Sequence, residues 1–301
     1  MDGLIYSLEW IVGANTSFRK RICDTLWTSV NFGMHATQFF MGSQRSFDRA
    51  KISFEDIREC KKILKRWPMH VFTHFTLTAN FAGSTKQLAW TDDEEQDRKT
   101  TYVIKQLQYE ASVISNFDGL SNGVVIHPGS YPNKKKGMKA IAKSLSKIEF
   151  GEGAKVILEN CAGEGTKIPS TLEDIAYIIR HVDENKRKHI GVCIDTCHLF
   201  AVGDYDLRLV DEIDRFFSDF DRIVGLEKLT LIHLNDSVTE KGSRVDLHEC
   251  IGAGHIWKDS FDSLIRLLDT CKQKGIPAVL ETHGLDMKTL AVLEKIKNEI
   301  S

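Results

Sequence analysis

The chain has 301 residues, 42% of them hydrophobic and 27% charged, enough to bury one large core within a single domain, 1–301. Its formal charge of −2 excludes a general basic field for nucleic acid, so any DNA binding has to rest on local cations or bound metal. No apolar run reaches the roughly 18 residues of a membrane span, and Met1 to Trp10 lacks the basic start and apolar stretch of a signal peptide. The expectation is a soluble intracellular protein of nucleus, cytoplasm or virion, neither secreted nor in a membrane.

In chain order, eight apolar runs of strand length stand out: Trp10–Ala14, Thr37–Met41, Val71–Thr73, Gly123–Ile126, Lys155–Leu158, Gly191–Ile194, Leu229–Ile232 and Ala278–Leu280. They are short and rich in Val, Ile and Leu, as strands buried on both faces are. Between them the apolar period turns helical, at Phe18–Val30, Phe54–Leu64, Leu172–Ile179, Val210–Phe220, Phe261–Leu268 and Leu290–Ile296. Phe75 to Leu120 reads as a loop with an acidic opening, Asp92 to Glu95, followed by a helix around Tyr102 to Ile114. Ser170 to Glu173 has the spacing of a capping box.

Alternating strand and helix implies parallel strands with right-handed crossovers, and eight strands favour closure into an α/β fold of the (β/α)8 TIM-barrel type. No GxGxxG turn follows an early strand, which argues against a dinucleotide fold. Repeats, low-complexity tracts and Pro/Gly-rich linkers are absent, so a single domain is expected. The seven cysteines are scattered among apolar positions, as buried free thiols of a reducing compartment are. Three residues separate Cys193 from Cys197 where haem attachment needs two, so haem is discarded.

The informative pattern is where polar residues fall. Val-Phe-Thr-His74, Val-Val-Ile-His127, Val-Ile-Leu-Glu159, Val-Cys-Ile-Asp195, Thr-Leu-Ile-His233 and Ala-Val-Leu-Glu281 each place one at the end of a buried strand. In a barrel all such ends face one rim, where catalytic groups collect. His198 lies three residues beyond Asp195, and Asp246 and His248 share one side of an extended segment. Asp236, beyond its strand end, reads as a support for ligands rather than a ligand.

Any one of these residues alone is most simply a hydrogen-bonded structural group. Packed together, the carboxylates and imidazoles would repel and be costly to desolvate unless cations compensated them. Histidine with carboxylate and no thiolate points to zinc, manganese or iron, and the residue types do not choose among them. Three divalent ions would outweigh the charges of Glu159, Asp195, Asp246 and Glu281 and leave a positive excess, which suits a phosphodiester transition state.

His127-Pro-Gly-Ser130, Leu158-Glu-Asn-Cys-Ala-Gly-Glu-Gly165, Gly191-Val-Cys-Ile-Asp-Thr-Cys-His198, His233-Leu-Asn-Asp236, Gly242-Ser-Arg-Val-Asp-Leu-His248 and Gly252-Ala-Gly-His-Ile256 resemble the endonuclease IV family of apurinic/apyrimidinic endonucleases. The resemblance runs from about Gly13 to Glu281 and places that family among the xylose-isomerase-like TIM barrels. It implies three zinc ions: His74 and His127 on one, Glu159 bridging to a second held by Asp195, His233 and Glu281, and His198, Asp246 and His248 on a third. Glu159, Asp195 and Glu281 would then be catalytic as well as ligating.

The implied activity is that of a hydrolase, an endodeoxyribonuclease of the deoxyribonuclease IV (phage T4-induced) class. It would cut duplex DNA on the 5′ side of abasic sites, leaving a 3′-hydroxyl and a 5′-deoxyribose phosphate, and trim blocked 3′ ends. The partner would be duplex DNA met by a monomer, with Arg45 entering the stack and Lys134, Lys135, Lys136 and Arg244 near the backbone. Gly13-Ala-Asn-Thr-Ser17 departs from the family's usual Gly-Ala-His-Val-Ser, and Leu77 stands where a loop tyrosine is usual. A sugar isomerase or epimerase of the same barrel is the alternative, but it has no need of His198, Asp246 and His248. A silent DNA- or metal-binding relative would have lost a ligand, and none is lost.

Overall fold

The computed structural model describes residues 11–18, 20–83, 94–117, 120–281, 289, 292–294 and 296. Among these, eight parallel strands close into one barrel: β1 (Val12–Asn15), β2 (Ala36–Phe39), β3 (His70–His74), β4 (Asn122–Ile126), β5 (Val156–Glu159), β6 (Ile190–Asp195), β7 (Leu229–His233) and β8 (Ala278–Leu280). Each pairs with its neighbours in sequence, and β1 closes the ring against β8 with Val12 opposite Ala278. Each expected apolar run lies on one of these strands, with boundaries moved by a residue or two; Trp10 lies outside the described residues.

The helices are α1 (Ile22–Asn31), α2 (Phe54–Arg66), α3 (Glu94–Ile114), α4 (Lys134–Ser146), α5 (Leu172–His181), α6 (Thr196–Val202), α7 (Val210–Ile223) and α8 (Asp262–Lys274). Of the last expected helix, 292–294 and 296 are helical, and Leu293 and Ile296 are buried. Three details differ from the sequence reading. Helix α3 begins at Glu94, ahead of the expected start near Tyr102, while Asp92 and Asp93 of the acidic opening lie outside the described residues. A four-turn helix, α4, fills the interval before β5; its Lys-rich start hid it, since cations are unfavourable in a first turn.

The third difference is a correction: the capping box of α5 is Thr171 with Asp174, one residue later than Ser170 with Glu173. Thr171 Oγ1 accepts from Asp174 N at 3.3 Å, and Asp174 Oδ2 accepts from the Thr171 and Ser170 amides. Thr171 has the extended backbone that a cap requires.

Apolar side chains fill two spaces. Outside the strands, Val124, Ile126, Leu158, Val192, Ile194 and Ile232 pack against the helices. Inside, Ala36, Phe72, Val125, Ile157, Cys193, Leu231 and Val279 make an apolar plug. Removing Phe72 from that plug should cost about 3–5 kcal/mol, because the closed ring of strands cannot collapse around the cavity. At β1 the plug position is Gly13, whose Cβ would lie 1.6 Å from Ala36 O, so only glycine admits the close approach of β2.

The plug fixes where the polar residues go. Side chains two residues apart on a strand share a face. Two residues beyond each plug member stand Asn15, Gln38, His74, His127, Glu159, Asp195, His233 and Glu281, one from every strand or from the residue just after it. The barrel therefore delivers a ring of eight polar side chains directly above its apolar floor.

Candidate metal centre

Glu159 is at the centre of the ring and is fully buried. Its Oε2 is 3.2 Å from His74 Nε2 and 3.0 Å from His127 Nε2, while its Oε1 is 3.0 Å from His233 Nδ1. Glu281 approaches the same His233 Nδ1 at 3.1 Å. The three predicted strand-end histidines thus converge on one carboxylate.

Asp195 links this group to a second one through a local device. As N-cap of α6 its Oδ1 accepts from His198 N at 2.9 Å, which is the hydrogen bond that an Asp-x-x-His spacing makes at a helix start. The first turn of α6 then points His198 at the hairpin formed by Asp236–Ser237 and His248–Glu249. Asp246 Oδ1 lies 3.0 Å from His198 Nε2 and 3.2 Å from His248 Nε2, and Asp195 Oδ2 is 3.4 Å from His248 Nε2.

These side chains fall into three sets of donor atoms, each within 4.8 Å: His74, His127 and Glu159; Glu159, Asp195, His233 and Glu281; and Asp195, His198 and His248. Asp246 is outside the third set by that measure, yet it faces both imidazoles. We place it with them because an Asp-x-His pair on one extended segment turns both side chains to one side.

The ring nitrogens are prepared for a cation. His74 Nδ1 donates to Phe75 O at 2.7 Å and His198 Nδ1 to Asn160 O at 2.8 Å, leaving Nε2 of each turned inward. His233 is reversed: Nδ1 faces the carboxylates and Nε2 donates to Gln38 Oε1 at 2.9 Å. Among the described residues, Nε2 of His198 and of His248 are buried with no hydrogen-bond partner of good geometry, which is costly unless something binds there. Borderline-soft nitrogen and hard carboxylate oxygen, with no thiolate, is a donor set that zinc accepts. The residues fit metal.

Electrostatics agree in direction. Burial opposes charge on His198, but Asp195 and Asp246 outweigh it and push the imidazole up to about 10. His248, against the same pair of carboxylates, is raised to about 9. Burial also opposes charge on Glu159, and His127 and His233 overcome it and hold the carboxyl well below its ordinary value. Protons and metal ions compete here for the same nitrogens.

Three supporting residues escaped the sequence reading. Gln38 Nε2 donates to Glu281 Oε1 at 2.7 Å, so Gln38 joins His233 to Glu281 across the barrel. Asn235 Nδ2 donates to Asp195 Oδ2 at 2.7 Å, and its Oδ1 accepts from Glu281 N at 3.1 Å. Asn160 Oδ1 accepts from Asp195 N at 2.7 Å. The two-residue step from Ala36 to Gln38 is a signal that could have found the first; the two asparagines needed coordinates.

Asp236 accepts backbone N–H bonds from Ser237, Gly252, Gly254 and Ile256 at 2.8–3.2 Å, so it knits the 252–257 loop and is no ligand. A Cβ on Gly254 would lie 2.5 Å from its Oδ1, which explains the glycine in Gly252-Ala-Gly254. Asn15, opposite Gln38, has a buried Oδ1 with no hydrogen-bond partner among the described residues.

The predicted DNA contacts lie on segments that follow β2, β4 and β7. Arg45 is exposed between β2 and α2. Lys135 and Lys136 are exposed in the first turn of α4, whereas Lys134 is tied to Asp174 at 2.7 Å. Arg244 is exposed with φ of 56°, a left-handed conformation rare for a long side chain, and its N donates to Ala201 O at 2.9 Å. One cation was overlooked: Lys167 Nζ is 3.7 Å from Asp246 Oδ2, and Glu164 Oε1 accepts from Asp246 N at 3.0 Å.

The family profile described as xylose isomerase-like TIM barrel matches residues 29–283. A relative from Thermoplasma volcanium, "Probable endonuclease 4", is 31% identical over 270 residues, covering 89% of this chain and 88% of its own. The endonuclease IV structure from Thermus thermophilus superposes with a TM-score of 0.76 at 24% identity, covering 96% of this chain and 99% of the other. A D-tagatose 3-epimerase-like protein shares the fold at a TM-score of 0.65 and 17% identity, over 96% and 98% of the two chains. With the barrel, the convergent strand ends and these likenesses together, the chain belongs to the endonuclease IV family of xylose-isomerase-like TIM barrels.

Proposed function

We propose that this protein is a metal-dependent DNA-repair phosphodiesterase that nicks duplex DNA on the 5′ side of abasic sites, leaving a 3′-hydroxyl and a 5′-deoxyribose phosphate. The observation that carries the reading is the sharing of Glu159 and Asp195 among three adjacent donor sets in one barrel mouth. His74, His127 and Glu159 would hold one zinc, Glu159, Asp195, His233 and Glu281 a second, and His198, Asp246 and His248 a third; manganese or iron could replace zinc. When bound, such ions supply a nucleophile at neutral pH and Lewis acidity toward a phosphate oxygen.

The chain's own groups do the rest. Glu159 and Asp195, held by three imidazoles and by Asn160 and Asn235, keep neighbouring donor sets in fixed register. Glu159, Asp195, His74, His198 and His233 are buried, so a phosphate on a straight duplex would not reach them; the abasic nucleotide has to leave the helix. Arg45 would enter the gap it leaves, and Lys134, Lys135, Lys136 and Arg244 would meet the backbone, with Lys134 contributing least because Asp174 holds it. The same site would trim blocked 3′ ends, and a monomer suffices because one chain supplies every donor.

The test is nicking of a duplex carrying one tetrahydrofuran abasic analogue. Zinc-loaded protein should cut it to a 3′-hydroxyl and leave an undamaged duplex intact. An uncut analogue, or full activity in both Glu159→Gln and His198→Ala, overturns the reading. Epimerisation of a ketohexose without nicking would favour the isomerase alternative.

A further inference from the structure

The loop carrying Arg45 is shaped from within by a second arginine. The Arg49 side chain is wholly enclosed, and its Nε donates to Phe47 O at 3.2 Å, while Nη2 donates to Ser43 O at 3.1 Å and also to Ser46 O. Nη1 faces Glu110 Oε2 on α3 at 3.5 Å, with the glutamate side chain equally enclosed. The guanidinium lies 4.9 Å from the centre of the Phe75 ring, next to the ligand His74.

Other ties complete the cage. Gln44 O accepts from Thr76 Oγ1 at 2.8 Å and from Leu77 N at 2.9 Å, just past the end of β3. Along α3, Gln106 Oε1 accepts from Arg49 N at 3.3 Å, and the Tyr109 hydroxyl accepts from Ile52 N at 2.8 Å. The carbonyls of residues 43, 44, 46 and 47 are therefore all engaged, on both sides of Arg45. Arg45 itself is exposed and has no ion pair among the described residues.

A buried ion pair is a poor source of stability, because desolvation offsets most of its attraction and an apolar pair of similar size does as well. An apolar pair cannot gather three carbonyls around one point, however. We propose that Arg49 and Glu110 are positioning residues for DNA binding: the guanidinium folds residues 43–47 around itself so that Arg45 is presented in its binding geometry before DNA arrives. Ordering this loop during folding spares that entropy at association. The proposal rests on the reading that Arg45 enters the DNA.

A double-mutant cycle tests it with zinc-loaded full-length protein and the tetrahydrofuran duplex. Arg49→Lys keeps the charge but cannot reach the carbonyls as a planar fork. It should raise KM about tenfold with kcat within about twofold and the zinc content unchanged. In an Arg45→Ala background the same change should add less than about twofold, because the residue acts through Arg45. Glu110→Gln should show a smaller KM effect that also vanishes in that background, and it serves as the probe should Arg49→Lys not fold. Equal KM effects in both backgrounds, or none in either, overturn the positioning role while leaving the DNA contact standing. An Arg45→Ala protein with unchanged KM sinks the contact as well.

Discussion

In the barrel mouth, polar side chains leave from strand ends, are buried or half-buried and hold one another; Glu159 alone lies 3.0–3.6 Å from four imidazoles, those of His74, His127, His198 and His233. In the segments that follow the strands, Arg45, Lys135, Lys136 and Arg244 are exposed, and what is organised is the backbone beneath them. A strand in a closed sheet cannot shift without breaking two ladders, so the mouth fixes donor geometry to within a hydrogen bond. Loops can only be fixed by added contacts, as Arg49 and Glu110 fix one. The chemistry and the recognition of substrate are therefore open to separate damage.

The strongest way to break the contrast is Glu159→Gln. An amide cannot serve two donor sets as a carboxylate does, and it presents N–H groups to histidines that need an acceptor. Nicking should fall at least about a thousandfold at saturating duplex, while duplex binding by the rim stays within about threefold. Equal losses of both would mean that mouth and rim are one unit.

Gln38→Leu should come next. It removes the link from His233 Nε2 to Glu281 Oε1 without touching a predicted DNA contact. Support of this kind is commonly worth 10–100-fold, so kcat or zinc affinity should fall by about that factor with KM for duplex unchanged. A KM effect alone would move Gln38 from the mouth to substrate recognition.

A third measurement sharpens the comparison through pH. In metal-free protein the folded-state values of His198 and His248 are raised to about 10 and about 9, above an unfolded histidine near 6.5. Protonated pairs thus stabilise the metal-free fold fully below pH about 6.5, and the contribution is lost as pH rises through about 9 to 10. Chelator-stripped protein should lose several degrees of Tm between pH 7 and 10, and zinc-loaded protein should lose less because its imidazoles are already neutral. Parallel curves would mean that these histidines do not bind the metal.

The smallest effects belong to the lysines of α4. Lys135→Ala and Lys136→Ala should each weaken duplex binding only a few-fold and lower the salt slope by about one, with kcat unchanged. Lys134→Ala should do less to binding and more to stability, because it ends the tie to Asp174. A salt slope unmoved by all three would place the backbone elsewhere.

Much of the geometry of the mouth was legible in the chain because a buried strand announces itself by an apolar run and the side chain it turns into the mouth by the polar residue that ends it. His74, Glu159, Asp195 and His233 end their strands, and His127 and Glu281 follow theirs by one residue. The spacings Asp195 to His198 and Asp246 to His248 were equally local, one a helix cap and the other an extended pair. What stayed hidden was whatever depends on distant partners. Gln38 reads as an ordinary strand residue until β7 and β8 bring His233 and Glu281 to it, and the support that Asp236 gives is seen to go to the 252–257 loop only once that loop folds over it. Arg49 gave no signal at all, since a surface loop is where arginine is usually exposed, and only α3 crossing behind it turns the side chain inward.

By itself, then, the sequence determined the barrel, the order of its strands and the donors at their ends, because period and composition act over a few residues. Tertiary structure decided which donors share a carboxylate, which nitrogen of each histidine faces inward, and which loop is held rigid. Those properties depend on contacts between segments tens to hundreds of residues apart, such as Gln38 with Glu281, and no local pattern encodes them.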